Sequence, residues 1–392
     1  MNELRDDTDT MRMLSLLKSC LWGSEPPSDI DREVYLGFCS QAITALPASI
    51  MPKLSMPDEI RDAWQKNIIR LVAFYVSYSY EQEHLPLTVP YVILKGTSAA
   101  QYYPHPEYRT MGDIDIITRR EDFDAAYNQL LVNGFRKMSE LEREVSFWKN
   151  GVTIELHRYF ASLNDPVQSK YLDDLIIQNI NSSHVLPDPV NGLVLLEHIS
   201  QHLEKGLGLR QIIDWMMFVH RCLPDQEWPS FRQMANQIGM ETLAVTVTRM
   251  CEMYLGLPER QWSKGANEKV CAQLMEFILS SGNFGVKLTS DADVGETILT
   301  YSWGPVAAFK YLQERGLENW KITRRVACLR PFAWLYQAGR YLFKGFSQDE
   351  ALITLKKQYK GAKKRKRLMD SLAVKQKSKG LVVYKNGKYV KE

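Results

Sequence analysis

Val89–Ile117 reads VPYVILKGTSAAQYYPHPEYRTMGDIDII. It opens as a β-branched apolar run, Val89 to Leu94, breaks at Lys95-Gly96-Thr97-Ser98, and returns to an apolar run in which Asp113 and Asp115 flank Ile114. Successive side chains of a strand point to opposite faces, so Asp113 and Asp115 are expected on the same face, roughly 7 Å apart along the strand. Two carboxylates that close repel each other, and shared divalent cations are the usual relief. A glycine-hydroxyl turn after the preceding strand offers backbone N–H groups to a phosphate. The stretch therefore reads as a site for a metal and a nucleotide.

Downstream, Glu121-Asp122 open a helix carrying Phe123, Ala126, Leu130 and Leu131, with Gly134 just past its end. A hairpin follows: Val145 to Lys149, Asn150-Gly151, then Val152 to Leu156, and Asn-Gly favours a type I′ turn. In the second arm Val152, Ile154 and Leu156 share one face, and Thr153, Glu155 and His157 share the other.

Upstream, residues 1–85 read as a helical lead-in. Thr10 to Leu21 spaces Met11, Leu14, Leu17 and Leu21 near a helical period, Ser28-Asp29 can cap a second helix with Val34, Phe38 and Ile43, and Ser55 to Asp58 can cap a long third. Beyond Asp165 the chain again reads as helical, with Asn191–Glu204 and Leu209–Arg221 joined by Lys205-Gly206-Leu207-Gly208. His198 and His202, four apart, share a helix face, but Ile-Ser-Gln between them lacks the glutamate of a zinc protease helix, so packing or site-lining histidines are expected. Arg210 and Asp214, also four apart, either pair with each other or face the site.

Composition is that of an ordinary globular protein, 45% hydrophobic and 24% charged over 392 residues. The six cysteines form no CxxC pair or zinc spacing, which points to free thiols in a reducing cytoplasm. No signal peptide and no membrane-spanning run are read. The overall charge of +3 conceals a segregation: residues 351–392 carry fourteen Lys/Arg against two acidic residues, a net +12, which leaves −9 on residues 1–350. This tail, with KKRKR at 363–367, is either a solvated extension or an electrostatic contact for RNA, DNA or a membrane surface. Lys321–Phe346 interleaves basic and aromatic residues, and is read as an amphipathic helix against the domain, interrupted near Pro331, in preference to a peripheral membrane segment.

Strand, Gly-Thr/Ser turn, short helix and Asp-Ile-Asp resemble the nucleotidyltransferase superfamily built on the polymerase-β-like minimal fold. The fuller string, Leu94-Lys95-Gly96, Tyr103-Pro104 and Arg109-x-x-Gly112-Asp113-Ile114-Asp115, resembles one branch of it, the bacterial uncharacterised nucleotidyltransferase family. EHISQHLEKGLGLRQIIDW, residues 197–215, and Ser281-Gly282-Asn283-Phe284-Gly285 resemble further blocks of the same family.

The resemblance implies an α+β fold, a mixed nucleotidyltransferase sheet with helices flanked by amino- and carboxy-terminal helical regions. It divides the chain into a lead-in (1–85), a core (86–165), a helical domain completing the cleft (166–350) and the basic tail (351–392). It implies transfer of a nucleoside monophosphate from an NTP, such as ATP, to an acceptor hydroxyl on a small molecule, carbohydrate, protein or tRNA, with release of pyrophosphate. Asp113, Asp115 and Glu155 would be the catalytic carboxylates holding two Mg²⁺ ions, with Mn²⁺ as an alternative. Lys95, Gly96, Thr97, Ser98, Arg109 and Arg210 would contact the nucleotide, with His157, His202 and Asp214 behind them. The rival expectation is a non-catalytic nucleotide- or nucleic-acid-binding module that uses the basic tail.

Overall fold

The computed structural model describes residues 8–163 and 165–283, and beyond them parts of 309–391. Two compact units divide the chain: Met1–Lys287 with Leu372–Glu392, and Leu288–Ser371.

In the larger unit a five-stranded mixed sheet has the order β1 (Tyr91–Leu94), β2 (Ile114–Thr118), β5 (Val152–His157), β4 (Glu144–Lys149), β3 (Arg136–Glu140). β2 runs antiparallel to β1 and parallel to β5, and β4 is antiparallel to both β5 and β3. The α+β expectation holds. Alternation does what the sequence foretells: Ile114 and Ile116 of β2 and Val152, Ile154 and Leu156 of β5 enter one core with Phe123, Ala126 and Leu130. Their neighbours Asp115, Glu155 and His157 lie on the other face.

The Asn150-Gly151 turn has φ of 52° and 84°, both left-handed as a type I′ turn requires, and it sets Glu144 opposite His157 and Ser146 opposite Glu155. β3 is a strand for which the sequence gives no alternation, because all five of its residues are exposed on a charged sheet edge.

The lead-in is helical as expected, but its caps differ. α1 (Thr8–Trp22) is followed by α2 (Arg32–Ser40), which is capped by Asp31, whose carboxylate accepts from Val34 N–H at 3.1 Å. Asp29 instead faces the guanidinium of Arg12. The 26-residue α3 (Asp58–Glu83) starts after Pro57 with Asp58 and Glu59 in its first turn. It packs over the sheet: Tyr78 OH donates to the Gly112 carbonyl at 2.8 Å, and Asn150 Nδ2 donates to Glu81 at 2.7 Å. After β1 comes the single-turn α4 (Gly96–Ala100), and between β2 and β3 lies α5 (Phe123–Val132).

The helical half follows as α6 (Pro166–Gln178), α7 (Asp188–Lys205), α8 (Leu209–Cys222), α9 (Trp228–Gln237), α10 (Glu241–Leu255) and α11 (Glu268–Ser281). α8 is buried on every side from Leu209 to Val219. Close packing of α7 on α8 depends on Gly192, where a Cβ would sit 2.4 Å from Phe218 Cζ. Gln41, just past α2, binds Leu209 N–H at 2.8 Å and the Ile278 carbonyl at 3.1 Å, tying the lead-in to this half.

Residues 382–385 and 388–391 pair as a separate antiparallel hairpin. In the smaller unit a 3-10 segment, Ala327–Phe332, contains Pro331 and leads into α12 (Ala333–Phe346), so the expected interruption falls at the helix start. Residues 363–371, spanning KKRKR, are helical, with Arg365, Leu368 and Met369 buried and Lys363, Lys364 and Arg367 exposed. Residues 351–362 of the tail and Phe284-Gly285 lie outside the described residues. Among the described residues no helix is long and apolar enough to cross a membrane.

Candidate active site

β1 ends on a strained corner. Lys95 has φ 55° and ψ −142°, a conformation unfavourable for a residue with a Cβ, and Gly96 follows at φ 45°. The corner turns Lys95 back onto the sheet, where Nζ lies 2.7 Å from Asp115 Oδ1. Asp115 is 1% exposed, and the same Oδ1 meets His157 Nε2 at 2.8 Å. Burial opposes its charge, but Lys95 and the hydrogen bond from His157 prevail and hold the carboxyl well below the usual carboxylate range. Among the described residues Asp115 Oδ2 is buried without a hydrogen-bond partner.

Parallel pairing of β2 with β5 sets Glu155 directly beside Asp115. Burial first, then the charges of Asp115 and Asp113, push the Glu155 carboxyl up to about 8. Asp113 stands one residue before β2 and is half-buried; Asp115 first, then burial, raise it to about 6. Asp115 and Glu155 are thus side by side, and the charge of Asp113 bears on Glu155 while that of Asp115 bears on Asp113. Among the described residues, the side chains whose ligand atoms all lie within 4.8 Å of one another are Asp115, Glu155 and His157. The orphaned Asp115 oxygen and the raised Glu155 fit a divalent cation, whose charge would relieve both.

Sequence reasoning missed several neighbours. Glu144 Oε2 lies 3.3 Å from His157 Nδ1. Counting back from the Asn-Gly turn would have found it, since a two-residue loop places 144 opposite 157. Arg143 and Lys95 both approach the ring of the buried Phe160, at 5.5 and 5.9 Å from its centroid. The segment bearing Phe160 is held by two fully buried carboxylates: Asp173 Oδ1 accepts Phe160 and Ala161 N–H at 2.9 and 2.8 Å, and Glu197 Oε1 accepts Ser162 N–H at 2.7 Å. No local sequence signal links these positions.

The remaining expected residues fall on two sides of this centre. Thr97 donates its hydroxyl to Gln82, and Ser98 is buried, its hydroxyl without a hydrogen-bond partner among the described residues. Arg109 is buried and bidentate on Asp214, Nε to Oδ1 and Nη2 to Oδ2 at 2.7 Å each, and Tyr103 OH donates to the same Oδ1 at 2.7 Å. Asp214 therefore pairs across the fold with Arg109. Arg210 turns instead to the 110–112 loop, where Nη1 donates to the Thr110 carbonyl at 3.3 Å and lies beside Gly112. His198 and His202 meet through their Nε2 atoms at 3.0 Å, and burial, then His202, hold His198 well below its ordinary value.

Residues 43–256, more than half of the chain and including the whole of this centre, match the family described as uncharacterised nucleotidyltransferase. No curated protein and no solved structure gives a significant match. With the strands, the corner at Lys95 and the paired carboxylates all inside the matched region, the chain belongs to the uncharacterised nucleotidyltransferase family.

Proposed function

We propose that this nucleotidyltransferase moves a nucleoside monophosphate from an NTP to an acceptor hydroxyl at the Lys95–Asp115–Glu155 centre, in a reaction that depends on a divalent cation such as Mg²⁺. The observation that carries the reading is the register of β2 on β5, which brings Asp115 and Glu155 together beneath the strained Lys95-Gly96 corner. Asp113, Asp115 and Glu155 would hold the cation, which when bound supplies charge neutralisation along the triphosphate.

The chain's own residues do the rest. Backbone N–H groups of Gly96, Thr97 and Ser98 would donate to the phosphates, since the first N–H groups of a helix have no acceptor within it. Lys95 and Arg210 add positive charge, and the Arg109–Asp214 pair braces the loop that presents Asp113. The acceptor oxygen attacks the α-phosphorus, the bond from that phosphorus to the α,β-bridging oxygen breaks, and pyrophosphate leaves with the bonding electrons. The hydroxyl proton passes to a carboxylate oxygen of Glu155. His202, on α7, and Asp214, on α8, would stand behind these groups.

Incubating the full chain with each α-labelled NTP, Mg²⁺ and a cell extract tests this. Label should appear in an acceptor and should vanish in Asp113→Asn and Asp115→Asn. Nucleotide that binds yet never transfers label, with any NTP, would leave only the binding-module reading.

A further inference from the structure

The donor set beside Asp115 is not all oxygen. We infer that His157 is itself a metal ligand through Nε2, together with Asp115 and Glu155, that Glu144 orients it, and that the site consequently prefers a first-row transition-metal ion to Mg²⁺. This rests on the proposed cation-dependent transfer and sharpens it, because a polymerase-like site built of carboxylates alone would suit Mg²⁺.

His157 Nε2 lies 2.8 Å from Asp115 Oδ1 and 3.9 Å from Glu155 Oε2. Ligands on an ion with bonds of about 2.1 Å stand roughly 3 Å apart at right angles and roughly 4.2 Å apart when opposite. Both spacings from His157 Nε2 fall in that range, and the ligand atoms of all three side chains lie within 4.8 Å of one another, with β2 and β5 needing no change of register.

A neutral imidazole has one N–H, but His157 faces a carboxylate at each nitrogen: Asp115 at Nε2 and Glu144 at Nδ1, 3.3 Å away. One proton cannot serve both. Among the described residues Nδ1 has no hydrogen-bond partner, and neither has Asp115 Oδ2, although both atoms are buried. With the Nε2 lone pair on an ion and Nδ1–H donated to Glu144, the conflict disappears and Asp115 Oδ2 gains a ligand role. A carboxylate behind a metal-bound histidine fixes its tautomer and ring plane in this way. Glu144 is placed for it by the two-residue hairpin, which sets it directly opposite His157.

The choice of metal follows from the nitrogen. Imidazole strengthens binding of transition-metal ions, whereas Mg²⁺ favours oxygen ligands and retained water. His157 is thus the residue that shifts the preference.

Mn²⁺ is the probe. Pulsed electron paramagnetic resonance on the full chain loaded with Mn²⁺ should show coupling to a directly bonded ¹⁴N that is lost in His157→Gln, while circular dichroism confirms the fold. Glu144→Gln should keep the nitrogen coupling and weaken Mn²⁺ binding about tenfold. In competition, wild type should bind Mn²⁺ at least about tenfold more tightly than Mg²⁺, and His157→Gln should lose most of that margin. Bound Mn²⁺ with oxygen ligation only, or no Mn²⁺ bound at millimolar concentration, would overturn the inference; a doubly protonated imidazole bridging the two carboxylates gives the first of these results. Label transfer separates the two claims. Transfer with oxygen-only ligation retains the proposed reaction and rejects the histidine ligand, and nitrogen-ligated Mn²⁺ without transfer does the reverse.

Discussion

Replacing Asp214 by asparagine tests whether the helical half braces the loop that carries Asp113. In the wild type, Arg109 Nε, Arg109 Nη2 and Tyr103 OH all donate to the Asp214 carboxylate at 2.7 Å, inside a region where Arg109 is 3% exposed. Hydrogen bonds to charged groups are worth about 1.5–3 kcal/mol each, and removing one partner of a buried pair costs about 3–5 kcal/mol because the other charge is left uncompensated. Asp214→Asn keeps the shape and removes the charge, so a loss of about 3–5 kcal/mol is expected. Urea unfolding should show it as a lower midpoint with an unchanged slope. The double variant Arg109→Met with Asp214→Leu, which removes both charges, should recover most of the loss. A loss below about 1 kcal/mol in Asp214→Asn would refute the brace. It would leave Arg109 free for the phosphate role that its position before Gly112-Asp113 suggests in the sequence.

Metal affinity should depend on pH in one direction. Glu155 is pushed up to about 8 by burial and its neighbouring carboxylates, so below that pH the metal-free protein holds a proton that a cation must displace. Affinity for Mn²⁺ should rise with pH, by up to about tenfold per unit, and level off above about 8; a titration that is flat from pH 6 to 9 would contradict the assignment. Gly192→Ala places a methyl 2.4 Å from Phe218 Cζ and should destabilise the protein by about 1–3 kcal/mol, read by thermal unfolding. Gly151→Ala, at φ 84° with open space around it, should cost about 1 kcal/mol from backbone strain alone and leave label transfer intact.

Much of the core was legible because its signals are local. Asn150-Gly151 fixes a hairpin, the period of two in β2 and β5 divides core from site, and Lys95-Gly96 marks the corner. Asp115 and Glu155 follow from these, although their direct pairing depends on which strand lies beside β2, and that is a tertiary fact. What stayed hidden is held by long-range polar pairs. Helical spacing leaves Arg210 and Asp214 either paired or facing the site, whereas packing brings Arg109 to Asp214 from more than a hundred residues away. Asp173 and Glu197 cap the backbone of the Phe160 segment from α6 and α7, a role that no spacing rule encodes. β3 escaped notice because a solvated, charged edge strand has no apolar alternation to read. At Ser28-Asp29 the capping rule selected the right neighbourhood and the wrong residue: Asp31 takes the helix N-terminus, and Arg12 reaches both Asp29 and Asp31.

The central claim is that the Asp115–Glu155 pairing carries nucleotidyl transfer, and the fate of two labels tests it most directly. With one NTP labelled at the α-phosphate and the same NTP labelled at the γ-phosphate, wild type should leave the α-label on the acceptor and release the γ-label as pyrophosphate. Asp115→Asn should do neither. If the γ-label passes to the acceptor, or if Asp115→Asn transfers the α-label as fast as wild type, the account of this site is wrong.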